Sequence, residues 1–134
     1  MTIIAPPPTS ASSDSRTKTV FRFAAALLFV VAGANHFLNP DVYRRIVPPM
    51  FPAPAALVFI SGVGEILGGI GLLIPRLRRA AALGLIALLV AVFPANVYMA
   101  VAPDAAPAFG VPAWLLWLRL PLQFVLIAWM WKIK

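Results

Sequence analysis

Four long apolar runs separated by short polar stretches organise the chain: about Val20 to Leu38, Ala55 to Ile74, Ala80 to Ala102 and Ala113 to Trp131. Each is close to the ~20 residues that a helix needs to cross a hydrocarbon core of ~30 Å. None shows the alternation of a half-buried strand, and each is far longer than a buried one. A segment in lipid must satisfy its own backbone hydrogen bonds, so the runs are predicted as helices. The expected fold is all-α: a bundle of four transmembrane helices spanning about 20–38, 55–74, 80–102 and 113–131, within a membrane domain of residues 16–134. Residues 1–15 read as a disordered tail. Pro6-Pro7-Pro8 and the Thr, Ser, Ala and Asp that follow cannot bury enough apolar surface to order themselves. They do not read as a signal peptide, because no apolar core follows a basic start.

The stretch between the first two runs, Asn39 to Pro54, has its own pattern. It carries Pro40, Pro48, Pro49, Pro52 and Pro54. Asn39-Pro40 suits the start of a short helix over Asp41 to Ile46, since proline fits the first helical position. Pro48-Pro49 then ends it. Val42, Tyr43, Ile46 and Val47 are apolar, which predicts an interfacial segment lying over the bundle's mouth rather than a free loop.

Composition agrees with the pattern. The chain of 134 residues is 62% hydrophobic and 11% charged, where a soluble domain carries about 25% charged residues. A soluble fold this small has too little interior for so much apolar sequence. The net charge of +7 does not point to nucleic acid, because the basic residues are sorted between segments. Arg16, Lys18, Arg22, Arg76, Arg78, Arg79, Lys132 and Lys134 share one side of a four-span chain. Arg44 and Arg45 lie opposite, beside Asp41 and Asp104. The excess of positive charge predicts that both termini are cytoplasmic. Trp114 and Trp117 near one end of the fourth run, and Trp129 and Trp131 near the other, suit two interfacial belts. The chain has no Cys and one His. That excludes disulfides, thiolate metal sites, chemistry on the chain's own thiols and a multi-His metal centre.

The polar residues inside the runs are the candidate chemistry. A carboxylate such as Glu65 is costly at mid-membrane, so it should face the bundle with a partner or carry a proton. Ser61, Gly62, Gly68 and Gly69 lie one turn either side of it, and Gly64 and Gly68 add a close-packing motif. Glu65 suits a structural ion pair that holds helices together, with a proton-handling or ligand-binding acid as the functional alternative. Arg119, at overlapping depth in the fourth run, is its expected partner, with outward snorkelling as the alternative. Gln123 lies one turn further along the same face. Asn96 follows Pro94, which deprives the carbonyl of Val90 of its donor, as Pro121 does for Trp117. Asn35 and His36 stand near the end of the first run, with Ala32 and Gly33 a turn before. A single His there suits a hydrogen-bonded structural role as well as a chemical one. His36, Glu65, Asn96, Arg119 and Gln123 all fall in the outer half or the midplane, which predicts one polar pocket that binds a ligand or holds the helices together.

These residues also carry a likeness. Ala32-Gly-Ala-Asn-His36-Phe, Asn39-Pro40-Asp-Val-Tyr43 and Ile46-Val-Pro-Pro49, then Ser61-Gly62-Val-Gly-Glu65-Ile, Gly69-Ile-Gly71-Leu-Leu, Val92-Phe-Pro94-Ala-Asn96-Val-Tyr98-Met and Leu118-Arg119-Leu-Pro121-Leu-Gln123, resemble the DoxX-like membrane proteins in order and spacing. The resemblance covers about Ala25 to Lys134. It implies a four-helix bundle in the bacterial cytoplasmic (plasma) membrane, relatives of the membrane subunit of thiosulfate:quinone oxidoreductase, and a link to redox-stress assemblies. A family site would fall at His36, Glu65, Asn96 and Arg119.

Two functions from different classes follow, and whether the chain catalyses anything stays open between them. The first is a non-enzymatic membrane component that binds a partner subunit or a lipid-like molecule through the polar pocket. The second is a membrane subunit of a quinone-linked oxidoreductase. There Glu65 and His36 would handle quinone protons and Arg119 would hold a quinone oxygen. No cofactor is evident from the residues themselves, and quinone is the one the second reading requires. Membrane lipid is the expected surrounding and nucleic acid is not an expected partner. A small transporter is a third reading, and needs an oligomer because four helices enclose little volume.

Overall fold

An apolar run of about 20 residues has one low-energy solution in lipid, and the chain adopts it four times. The computed structural model describes residues 4–5, 11–45, 47–102, 110 and 112–134, with 11–15 as backbone alone. The described elements are α1 (Ala11–Leu38), α2 (Pro40–Arg45), α3 (Pro54–Leu73), α4 (Arg78–Val101) and α5 (Ala113–Ile133), with no strand among them. Four stretches, Arg16–Leu38, Pro54–Leu73, Arg78–Val101 and Ala113–Ile133, are long and apolar enough to cross a membrane. The fold is the expected all-α bundle with a short helix between its first two long ones, and it has the architecture of a multi-pass membrane protein. At most 28% of each most apolar window is buried within the chain. Leu27, Phe59, Leu67, Val90 and Phe124 leave more than half of their surface exposed. Apolar area on that scale is stable only against another apolar medium.

The spans begin and end within a few residues of the predicted ones, except at the start. α1 begins at Ala11, so residues 11–15 of the expected tail are helical. Adding residues to a helix that the apolar run already nucleates costs far less than starting one. Residues 1–3 and 6–10 of that tail lie outside the described residues.

α3 is the middle of the bundle. It packs along α1 on one side and α4 on the other; α5 packs on α4 and only brushes α1. Its two neighbours use different glycines. A Cβ on Gly69 would stand 2.9 Å from the carbonyl oxygen of Ala26, and one on Gly62 would stand 2.9 Å from the Cβ of His36. α1 therefore approaches α3 backbone to backbone. Gly68 instead lies under Leu85 of α4, and Gly64 under Leu88. Small residues at such seams gain van der Waals contact where lipid removes any hydrophobic drive for helices to associate.

The core has two layers. At one end Ala25, Phe29, Leu72, Ala82, Leu85, Leu89, Met130 and Ile133 draw all four long helices together. At the other, Met99 and Leu116 are buried, with Tyr43, Ala95, Ala100 and Ala102 packed on them. The basic ends of the helices cap the first layer. Arg22 donates from Nε to the carbonyl of Ile133 at 3.1 Å, and Arg78 from Nε to that of Leu72 at 3.2 Å. Trp114, Trp117 and Trp131 are exposed as belt residues should be. Trp129 departs from the expectation: it is half-buried, with its ring edge-to-face with Phe21 at 6.0 Å. α1 meets α5 at that level, so the side chain packs inward rather than toward the interface.

Candidate functional site

The site begins with the return of the chain after α1. Asn39 and Pro40 turn it, and α2 folds back as one and a half turns with Asp41 in its first turn and Arg44 and Arg45 in its last. The charge order suits the helix dipole, and Asp41 meets Arg44 at 3.6 Å on the surface. The predicted last residue of this helix, Ile46, lies outside the described residues. Pro48, buried, ends the segment, and the chain enters α3 through Ala53 in the left-handed region at φ 50°. The Ala53 carbonyl still accepts the N–H of Leu57 at 3.1 Å, so the backbone starts α3 without a side-chain cap. α2 packs on α3 and α1, and Tyr43 also packs on the buried Met99 and Leu116.

Its effect is to lay Tyr43 on His36. The two rings stack with centroids 3.9 Å apart and planes 20° apart. The Tyr43 hydroxyl accepts from Asn35 Nδ2 at 2.7 Å, and Asn35 Oδ1 accepts from Asn39 Nδ2 at 2.7 Å. The far side of His36 meets α3. Its Nδ1 lies 2.9 Å from the carbonyl oxygen of Ala32 and 3.3 Å from Glu65 Oε2. One Nδ1–H cannot serve both acceptors fully. Glu65 Oε2 is buried and has no hydrogen-bond partner. Leaving such an acceptor unsatisfied costs about 1–3 kcal/mol.

The side chain that faces Glu65 is thus His36, and the expected Glu65–Arg119 pair is corrected. Among the described residues Arg119 has no ion pair. It is exposed on α5, and Nη1 makes a weak contact with Met99 Sδ at 4.0 Å. The physical reason is helix order. Gly33 and Gly62 let α1 close on the face of α3 that carries Glu65, whereas α5 reaches α3 only across α4. The charge of Arg119 still acts on both Glu65 and His36.

Asn96 and Gln123 form a separate contact between α4 and α5. Asn96 Nδ2 donates to Gln123 Oε1 at 2.5 Å, and Gln123 Nε2 donates to the carbonyl of Leu89. Gln123 is buried and its amide is used at both ends. The carbonyl it takes is Leu89's, one residue before the Val90 carbonyl that Pro94 deprives. Both α4 and α5 run helical through their prolines. The five predicted residues therefore divide into His36 with Glu65, Asn96 with Gln123, and Arg119 standing near the first pair. Met99 joins the two groups: fully buried, it contacts Arg119 and packs in the layer that holds Tyr43 and Ala95.

Sequence reasoning passed over Tyr43 as a site residue, reading it only as an apolar member of its segment. A signal was present: an aromatic ring three residues into a helix that must fold back over a histidine. Met99 gave none, since a buried methionine in a membrane helix is ordinary packing. A groove between α3 and α4, lined by Gly64, Gly68, Leu77 and Gly84, contains none of the polar residues.

No curated protein and no solved structure matches the chain. A family model does match, over residues 25–134, which takes in half of α1, all of α2, α3, α4 and α5, and every residue of the polar site. The chain belongs to that family, described as a domain of unknown function (DUF8561).

Proposed function

We propose that the protein is a non-enzymatic membrane component that holds a lipid-like ligand by its polar head at the α2 end of the bundle. The observation that carries this reading is the buried Glu65 Oε2, an acceptor with no donor, beside a histidine already engaged with Ala32. A ligand hydroxyl or N–H would satisfy it. Arg119, exposed and without an ion pair among the described residues, is the complementary donor for a carbonyl or acidic oxygen. The apolar exterior of the helices would take the tail. A partner subunit's polar side chain is the other group with this chemistry. Purification from native membranes in mild detergent, followed by mass spectrometry of extracted small molecules, tests the reading. An apolar molecule bearing a hydroxyl, amide or carbonyl, at near-stoichiometric yield and lost in Glu65→Gln, is expected. Wild-type protein that carries a stoichiometric protein partner and no organic ligand would overturn it.

The alternative, a quinone-linked oxidoreductase subunit, has its own support: His36 Nδ1 and Glu65 Oε2 at 3.3 Å make a proton-sharing pair, and the likeness to DoxX-like proteins points the same way. Quinone in the extract, together with a flavin- or metal-bearing partner, decides for it.

The proposed location is the bacterial cytoplasmic membrane with both termini inside, supported by eight of the 11 basic residues at one end of the helices. Reporter fusions at Lys134 and within residues 103–112 should report cytoplasmic and external positions respectively. Activity of the C-terminal fusion only outside would reverse the topology.

A further inference from the structure

The opposite end of the bundle carries features that are independent of the Glu65 cluster. The turn between α3 and α4 places Arg76, Arg78 and Arg79 within four residues. Arg78 is held: its Nε is spent on the Leu72 carbonyl, and the other four N–H groups of its guanidinium are not used by that bond. Arg22 is held in the same way on Ile133, and Leu72 and Ile133 belong to one buried cluster. The two guanidiniums therefore rim the same core layer. Among the described residues no carboxylate pairs with either. Fixed like charges at a helix end with unused donors call for an anion.

The apolar side of the site adjoins this turn. The groove between α3 and α4 starts at Leu77, next to Arg78, and continues past Gly71, Ala81, Gly68, Gly84 and Gly64. It is open at Gly84, where a Cβ would meet nothing within 4 Å. It extends along α3 to Ile60, a rise of about 16 Å from Gly71, or roughly one leaflet of a ~30 Å hydrocarbon core. A phosphate-binding fork at the mouth and a leaflet-deep apolar slot beneath it match one molecule. We infer that an anionic phospholipid binds here, with its headgroup phosphate on Arg78 in the field of Arg22 and one acyl chain in the α3–α4 groove. This rests on the chain spanning a membrane and on nothing at the α2 end.

Native mass spectrometry of the detergent-purified full chain tests it, with phosphatidylglycerol, phosphatidylcholine or inorganic phosphate added. Phosphatidylglycerol should bind as a discrete one-lipid adduct in preference to phosphatidylcholine. Arg78→Gln should weaken it about fivefold, the value of one basic residue beside an anionic surface. Gly84→Leu, whose Cβ would meet nothing within 4 Å and whose branch extends into the groove, should weaken it comparably. Lys132→Gln with Lys134→Gln should leave it nearly unchanged. Equal binding of the two phospholipids would overturn the proposal, as would an equal loss in the lysine variant, since either makes the attraction diffuse. Binding of inorganic phosphate that displaces the lipid, with no effect of Gly84→Leu, would also overturn it by showing a free-phosphate site. If Arg78→Gln does not fold, the phospholipid comparison and Gly84→Leu still decide.

Discussion

Gly33→Val should destabilise the bundle by about 1–3 kcal/mol or more, the range for forcing volume into a packed seam. A Cβ on Gly33 would stand 2.7 Å from the carbonyl oxygen of Gly62 and 2.8 Å from Ile66 Cγ1. The first of these is backbone, so α1 as a whole must move rather than a side chain rotate. The seam cannot recover the loss by expelling water, because lipid gives separated helices an equally apolar surrounding. Movement there also carries His36 away from Glu65, since a Cβ on Gly62 would already crowd the Cβ of His36. The loss should therefore appear twice, as a lower unfolding midpoint in detergent and as a weakened polar site. Gly84→Ala is the control: it meets open space and gains helix propensity worth up to about 1 kcal/mol. If Gly33→Val unfolds at the wild-type midpoint, α1 and α3 are not in backbone contact and the packing described above is wrong.

His36→Leu should cost about 1–3 kcal/mol, because it removes the polar side chain that faces the largely buried Glu65 and leaves the buried Oε2 without a nearby donor. The loss of the Tyr43 stack adds to it, since α2 then has no ring to lie on. A double-mutant cycle separates the terms. Glu65→Gln combined with His36→Asn should show a coupling within about 0.5–3 kcal/mol, the range for residues in contact. Glu65→Gln combined with Arg119→Leu should show a smaller coupling, because the charge of Arg119 reaches Glu65 without an ion pair between them. A larger coupling for Arg119 than for His36, read from unfolding in detergent or lipid discs, would restore the pairing that charge and depth alone suggest.

That contrast locates the boundary of what the chain's pattern states. The four spans are legible because the penalty for unpaired backbone in lipid leaves an apolar run of about 20 residues no other structure. The rarity of polar groups in such runs marks His36, Glu65, Asn96, Arg119 and Gln123 without any coordinates. The α2 helix is legible because proline both starts and stops it. Sequence position also gives each residue's depth, and depth is what suggested Glu65 with Arg119. Depth is one coordinate, however, and a contact needs two more: the rotation of each helix and the order of helices around the bundle. Both are set by mutual packing. Gly62 and Gly69 turn one face of α3 to α1, while Gly64 and Gly68 turn another to α4. With α5 packed on α4, Glu65 meets His36, and Gln123 is left to meet Asn96. Sequence thus determined which segments are long and apolar enough to cross a membrane and which residues in them are chemically out of place. Only the tertiary structure decided who meets whom, because the close approach of glycine faces depends on both helices at once and no single run encodes it.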